Sequence, residues 1–139
     1  MSGYVPAELW PDPNLMGYEP FWQGTLQRRI MMPQCVPCGV FRWPPQLICR
    51  ACYSEQLTWQ ELAGTGAIHS FTVTHRPYNA AFTDWVPYTT AVITVAGKVR
   101  MLGRLMGRDA TLDEIGASVR PNFQEVTDEI VLVNWERTE

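Results

Sequence analysis

The chain has 139 residues, with a hydrophobic fraction of 46%, 18% charged residues and a formal charge of −3. Those values exclude a disordered chain. The acidic balance excludes a general attraction to phosphate backbones or anionic lipid, so a nucleic-acid role would need a local basic patch.

The length admits one ordinary domain, or a small metal module fused to a barrel of roughly 80 to 100 residues. Lys98 is the only lysine and Arg28 the first arginine. A signal or transit peptide needs basic residues near the start, so none is expected. No apolar run approaches the roughly 20 residues that span a bilayer. The expectation is a cytoplasmic protein whose thiols stay reduced.

From the N-terminus, Pro6, Pro11 and Pro13 block helix and favour an extended arm. Trp10 within it suits docking on the body or on a partner as well as a loose tail. The stretch Glu19–Arg29 then reads as a short helix, with Pro20 in the first turn, Glu19 at the positive end and Arg28 and Arg29 at the negative end. Phe21, Trp22, Thr25 and Leu26 share one side, an ordinary core stripe or a face for a partner.

The next stretch holds all four cysteines, as Cys35-x-x-Cys38 and Cys49-x-x-Cys52. Two such turns facing each other across a short hairpin can close a tetrahedral thiolate site. A three-residue step makes a poor disulfide. Four thiolates suit zinc or iron, and the short hairpin favours structural Zn2+. Ile30–Gln34 leads into the first turn, Phe41–Pro45 crosses to the second, and Leu57–Leu62 leads out, which together make a ribbon.

From Gly66 the pattern is strand: Gly66–His75, Pro87–Ala96, Val99–Gly107, Ser118–Val126 and Glu129–Arg137, with a tight turn at Gly97-Lys98 and a helical turn at Leu112–Ile115. Five strands with a small insert between the third and fourth match the Greek-key barrel called an OB-fold. The fold expected is mainly β: arm and helix over 1–29, ribbon over 30–62 and barrel over 63–139.

With the cysteines on metal, His69 and His75 are the remaining near-neutral bases. Placed on one face of one strand, they lie on the order of 20 Å apart and do not act as a pair. Binding has better candidates. Arg100, Arg104 and Arg108 alternate along the third barrel strand, as an ordinary polar outer face or as an anion site. The loop His75–Tyr88 carries Arg76, Tyr78, Phe82 and Trp85, and a loop so long and aromatic is either functional or a cap on the barrel.

In order along the chain come Pro20-Phe21-Trp22, Cys35 to Gly39, Phe41 to Pro44, Cys49 to Cys52, Leu57-Thr58-Trp59 and Gly64-Thr65-Gly66. Pro87-Tyr88, Gly103 and Gly107 follow. In this order the chain resembles the acyl-coenzyme-A-associated OB-fold family with a rubredoxin-like zinc ribbon, domain of unknown function 35, over roughly residues 18 to 136. One departure is Tyr53-Ser54, where a glycine commonly follows the last cysteine. The resemblance implies a companion subunit, non-catalytic itself, of a thiolase-like enzyme that performs the acyl-coenzyme A chemistry in a heterotetramer.

On that reading the chain carries structural zinc and helps form an acyl-CoA channel, with Arg76, Tyr78, Phe82, Arg100 and Arg104 as channel residues. Phe21, Trp22 and Trp85 would face the partner. Two other classes stay open at this point: a single-stranded nucleic-acid-binding OB module using the arginine row and the loop aromatics, and an iron knuckle for electron transfer.

Overall fold

A computed structural model describes residues 5–138 of the chain. The first four residues of the expected arm lie outside the described residues. The rest of the arm makes a short 3-10 turn at Ala7–Leu9, and Trp10 Nε1 donates a hydrogen bond to the Val5 carbonyl at 2.9 Å. Val5 is buried, and Trp10 lines a cavity with the Thr127–Ile130 turn, so this part of the arm docks on the body.

Helix α1 is Glu19–Leu26, with Pro20 in its first turn. The two arginines assigned to its C-terminal end stand beyond it, because Arg28 takes a left-handed φ of 61° that ends the helix. Gly24 sits where Met31 packs, and a Cβ there would collide with the methionine side chain. The close approach seats α1 against β1, Ile30–Cys35.

β1 pairs antiparallel with β2, Leu57–Leu62, from Ile30 opposite Leu62 to Cys35 opposite Leu57. The ribbon between them has a single bridge, Gln34 to Phe41. Its crossing is fastened to the helix by rings: Phe21 lies 4.5 Å from Trp43, and Tyr18 meets Trp43 edge-on at 5.8 Å.

Five strands then close a barrel: β3 (Gly66–Thr74), β4 (Tyr88–Val95), β5 (Val99–Leu105), β6 (Ser118–Glu125) and β7 (Val131–Arg137), in the spatial order β3-β4-β5-β7-β6. All pairs are antiparallel except β5 with β7, which closes the barrel where Leu105 meets Trp135. Strand β4 shows why the pattern folds this way: its alternate residues Thr89, Ala91, Ile93 and Val95 point inward and are buried. Gly103 and Gly66 leave room for the Trp135 ring, which a Cβ at either position would strike. Trp135 fills the centre with Ile68, Ile93, Leu105 and Val119, and the same core runs on through Leu62, Met32 and Ile30 to Phe21. Ribbon, helix and barrel therefore share one core.

Strand β3 departs from simple alternation. A bulge falls between Ile68 and Ser70, so His69 is the extra residue and the inward set changes parity. His69 is thus the bulged residue and His75 lies beyond the end of β3 at Thr74, so the two are not alternating positions of one regular strand as the alternation over Gly66–His75 expected. The β4–β5 turn also differs by one residue. Its centre is Ala96-Gly97, both left-handed at φ 53° and 69°, and Lys98 N–H closes it on the Val95 carbonyl at 2.9 Å.

Candidate functional site

The two knuckles repeat one backbone pattern. In the first, Gly39 N–H donates to the Cys35 carbonyl at 2.9 Å and Cys35 N–H to the Val40 carbonyl at 2.9 Å. In the second, Tyr53 N–H donates to the Cys49 carbonyl at 2.8 Å and Cys49 N–H to the Ser54 carbonyl at 2.9 Å. Gly39 and Tyr53 thus hold equivalent places, and both are left-handed, at φ 78° and 64°. Tyrosine adopts the conformation that glycine supplies in the first knuckle. The departure in sequence leaves the knuckle geometry intact.

The result is a thiol cage. Cys35 and Cys49 are buried and Cys38 and Cys52 exposed, one of each per knuckle. All four sulfurs lie within 4.8 Å of one another, with Cys35 to Cys52 at 3.4 Å and Cys38 to Cys49 at 3.7 Å. A tetrahedral Zn–S₄ centre with bonds of about 2.3 Å has sulfur–sulfur edges of about 3.8 Å. A disulfide requires about 2.05 Å. The donor set and spacing fit structural zinc. The backbone N–H groups of Cys52 and Ala51 stabilise the Cys49 thiolate against its burial, and its pKa falls to about 6.

The aromatic loop and the arginine row come together at Arg104. Phe82, Trp85 and Tyr88 pack as a trio, with ring centroids 5.5 to 6.1 Å apart. The Arg104 guanidinium lies 3.8 Å from the Trp85 ring centre. Burial lowers the Arg104 pKa, with the Tyr88 hydroxyl opposing. Arg76 and Tyr78 pair separately at 5.1 Å on the exposed part of the loop.

Arg108 is committed elsewhere, in a bidentate bond to Glu114 at 3.0 Å. Glu114 also takes Arg137 and the Thr111 N–H, and these partners, Arg137 foremost, hold its carboxyl well below the usual carboxylate range. The row Arg100, Arg104, Arg108 is therefore not one anion-binding face: the second member lies under an indole, the third in an ion pair, and only Arg100 stays open. Two of the expected partner-facing residues are corrected as well. Phe21 is 4% exposed and Trp85 9%, because one fills the shared core and the other covers Arg104. Trp22 stays half-buried.

The strand alternation did not single out a group that the fold assembles. Arg42, Arg50, Lys98 and Arg100 line one cleft between the crossing and the β4–β5 turn. The signal available in the sequence was the sole lysine beside a tight turn and an arginine in each half of the ribbon. Around the knuckles Val36, Val40, Leu47, Ile48 and Tyr53 are exposed.

Two family models cover most of the chain: "ChsH2, rubredoxin-like zinc ribbon domain" over residues 22–58, and "ChsH2, C-terminal OB-fold domain" over 59–124. The chain belongs to this family. A chain of the solved structure "Ltp2-ChsH2(DUF35) aldolase" superposes with a TM-score of 0.77 at 27% identity, covering 93% of this chain and all of that one. A DUF35-family protein of unknown function from Sulfolobus solfataricus shows the same fold, with a TM-score of 0.62 at 16% identity and coverage of 88% and 86%.

Two curated relatives are similar as well. A probable enoyl-CoA hydratase alpha subunit of Thermomonospora curvata is 32% identical over 91% of this chain and 40% of its own length. The 3-oxo-4,17-pregnadiene-20-carboxyl-CoA hydratase alpha subunit of Mycobacterium tuberculosis is 30% identical over 97% of this chain and 44% of its own length. The DUF35 chain described here spans less than half of these curated relatives. No helix among the described residues is long and apolar enough to cross a membrane.

Proposed function

We propose that this chain is a non-catalytic accessory subunit of a thiolase-like acyl-CoA enzyme, which it stabilises and whose acyl-CoA channel it helps to form. The observation that carries the reading is the end-to-end likeness to a chain of the Ltp2-ChsH2(DUF35) aldolase, whose name pairs this family with an enzyme that cleaves or forms carbon–carbon bonds. The side chains agree. His69 and His75 are exposed, and the four thiols are gathered into a cage suited to a structural metal. The names of the curated relatives describe hydratases more than twice as long, and that activity is not assigned to this chain.

In the proposed complex zinc is structural and holds the knuckles. Their exposed Val36, Val40, Leu47, Ile48 and Tyr53, with Trp22 of α1, supply the apolar surface for the partner. Arg76, Tyr78 and Arg100 are the exposed channel residues, while Phe82 and Arg104 hold the loop in place beneath Trp85.

The test is co-expression with a thiolase-like protein from the same source, followed by affinity capture through this chain. A 2:2 complex by light scattering, with carbon–carbon bond cleavage of an acyl-CoA that the partner lacks alone, is the expected result. A chain that remains monomeric and adds nothing to the partner's activity would overturn the proposal. Metal analysis separates the iron alternative: a colourless protein with one zinc is expected, and a red, iron-containing one would move the reading to electron transfer.

A further inference from the structure

The cleft between the ribbon crossing and the β4–β5 turn has a volume of about 590 Å³. Its lining includes Arg42, Arg50, Lys98 and Arg100 and no carboxylate. None of these four cations is in an ion pair among the described residues. Lys98 stands 5.9 Å over the Phe41 ring, and Arg50 and Arg100 are exposed.

Arg42 is the informative member. It is 7% exposed, and its Nη2 donates to the Gln46 carbonyl at 3.3 Å. Its Nε and Nη1 are buried without a hydrogen-bond partner. A buried guanidinium so poorly matched is costly, and an anion beside it removes much of that cost. The neighbouring metal site offsets only part of the charge. A zinc ion with four thiolates carries two negative charges behind Cys49, against four positive side chains in the cleft.

A second, apolar hollow of about 200 Å³ continues the cleft, lined by Pro44, Val92, Met101 and Leu102 and sharing Trp43 and Arg100 with it. Leu102 is 65% exposed there. The groove therefore has a cationic end and an apolar, aromatic end, and its size lies within the ~300 to 1,000 Å³ of small-molecule sites.

We propose that this groove binds a nucleotide, with two or more phosphate groups against Arg42, Arg50, Lys98 and Arg100 and its base or another apolar portion against Trp43, Pro44 and Leu102. Arginine and lysine together suit this ligand, the forks of the guanidinium matching phosphate oxygens and the ammonium acting as a point charge. Every wall belongs to this chain, and because Arg100 is also a proposed channel residue, the coenzyme A form of the inference rests on the acyl-CoA reading above. Coenzyme A and free nucleotides share the required chemistry.

Titration calorimetry on the zinc-loaded protein at low salt, with ADP, adenosine 3′,5′-bisphosphate, coenzyme A, pyrophosphate and adenosine as probes, tests it. Saturable binding of at least one of the three nucleotides is expected. Pyrophosphate should bind about tenfold more weakly than that nucleotide for lack of the apolar contact, adenosine should not bind, and affinity should fall with added salt. Tight binding of coenzyme A alone would identify the source as acyl-carrier chemistry; equal binding of ADP would identify free nucleotides.

The double variant Lys98→Glu/Arg100→Glu should weaken binding by about 30-fold or more. Both positions are exposed, and unchanged zinc content and circular dichroism will show that the fold is kept. Arg29→Glu makes the same kind of charge change away from the groove and should leave affinity within about twofold. Absence of saturable binding by all three nucleotides would overturn the proposal, as would equal losses in the double variant and in Arg29→Glu. Partner capture with the same variants scores the accessory reading separately.

Discussion

Between Cys35 and Leu57 the ribbon has one backbone bridge and, beyond Cys35 itself, buries only Arg42 and Cys49, whereas from Gly66 to Arg137 the barrel pairs every strand on both sides and fills its centre with Ile68, Ile93, Val95, Leu105 and Trp135. The contrast locates the source of order in each region. The ribbon lacks the apolar area to offset the backbone entropy of its knuckles, of order 1 to 2 kcal/mol per residue, so the bound ion must supply the difference. The barrel needs no ion. Its strands are fixed by ladders and by burial, and the two regions communicate through Ile30, Met32, Leu62 and Phe21, which extend the barrel core under the ribbon.

Metal removal is the strongest way to break this comparison. Structural zinc contributes an apparent ~10 to 16 kcal/mol in isolated zinc fingers, more than a ribbon of this size can replace. Chelation, or Cys49→Ser, should abolish hydrogen-exchange protection over residues 30–62 while amides of β4 and β7 stay protected. If both regions lose protection together, the shared core rules and the ribbon and barrel are one cooperative unit.

The complementary change lies in the barrel. Trp135→Ala removes the ring that Gly66 and Gly103 accommodate and should cost about 3 to 5 kcal/mol in urea denaturation. Zinc stoichiometry should be unchanged at low temperature.

A smaller effect tests how the barrel's open end is closed. Glu114 is buried between Arg108 and Arg137 and its pKa is depressed below the ordinary 4.5, mainly by Arg137. The unfolded chain therefore takes up the proton first. The stability this carboxylate contributes is complete above its unfolded pKa and is lost as pH falls through that value toward the folded one. Glu114→Gln should destabilise the protein by about 1 to 3 kcal/mol at pH 7, by leaving two arginines poorly matched. The gap between wild type and variant should close on acidification below pH 4.5.

The regions also differ in how far the sequence disclosed them. Strand limits fell within a residue or two because β4 alternates strictly and its turns carry glycine, and the two Cys-x-x-Cys pairs announce the metal cage by spacing alone. What alternation could not carry is the fate of side chains whose partners come from distant segments. Arg104 and Arg100 look equivalent on β5, yet the loop residue Trp85, nineteen positions before Arg104, covers the first and leaves the second open. The bulge at His69 is invisible for the same reason: nothing local marks the extra residue, and only the register against β4 reveals it. The cationic cleft joins residues from the crossing, the second knuckle and the β4–β5 turn, a convergence that exists only once the ribbon is folded onto the barrel.

The finest comparison is between the knuckles themselves. They share their hydrogen bonds and their left-handed fifth residue, but one has Gly39 there and the other Tyr53. A left-handed conformation costs a residue with a Cβ about 1 to 2 kcal/mol, and glycine's extra freedom in the unfolded chain returns about 0.5 to 1 kcal/mol of that. Tyr53→Gly should therefore stabilise the zinc-loaded protein by about 0.5 to 1 kcal/mol, read as a rise in denaturation midpoint. Gly39→Ala should destabilise by a similar amount, although the nearest atom to its new Cβ is 3.9 Å away, because the cost lies in the backbone and not in crowding. Tyr53 is 79% exposed, so little packing is lost with its ring. Should Tyr53→Gly instead leave stability unchanged while weakening capture of the partner enzyme proposed above, the strained tyrosine is retained for the surface it presents, and the second knuckle faces that partner.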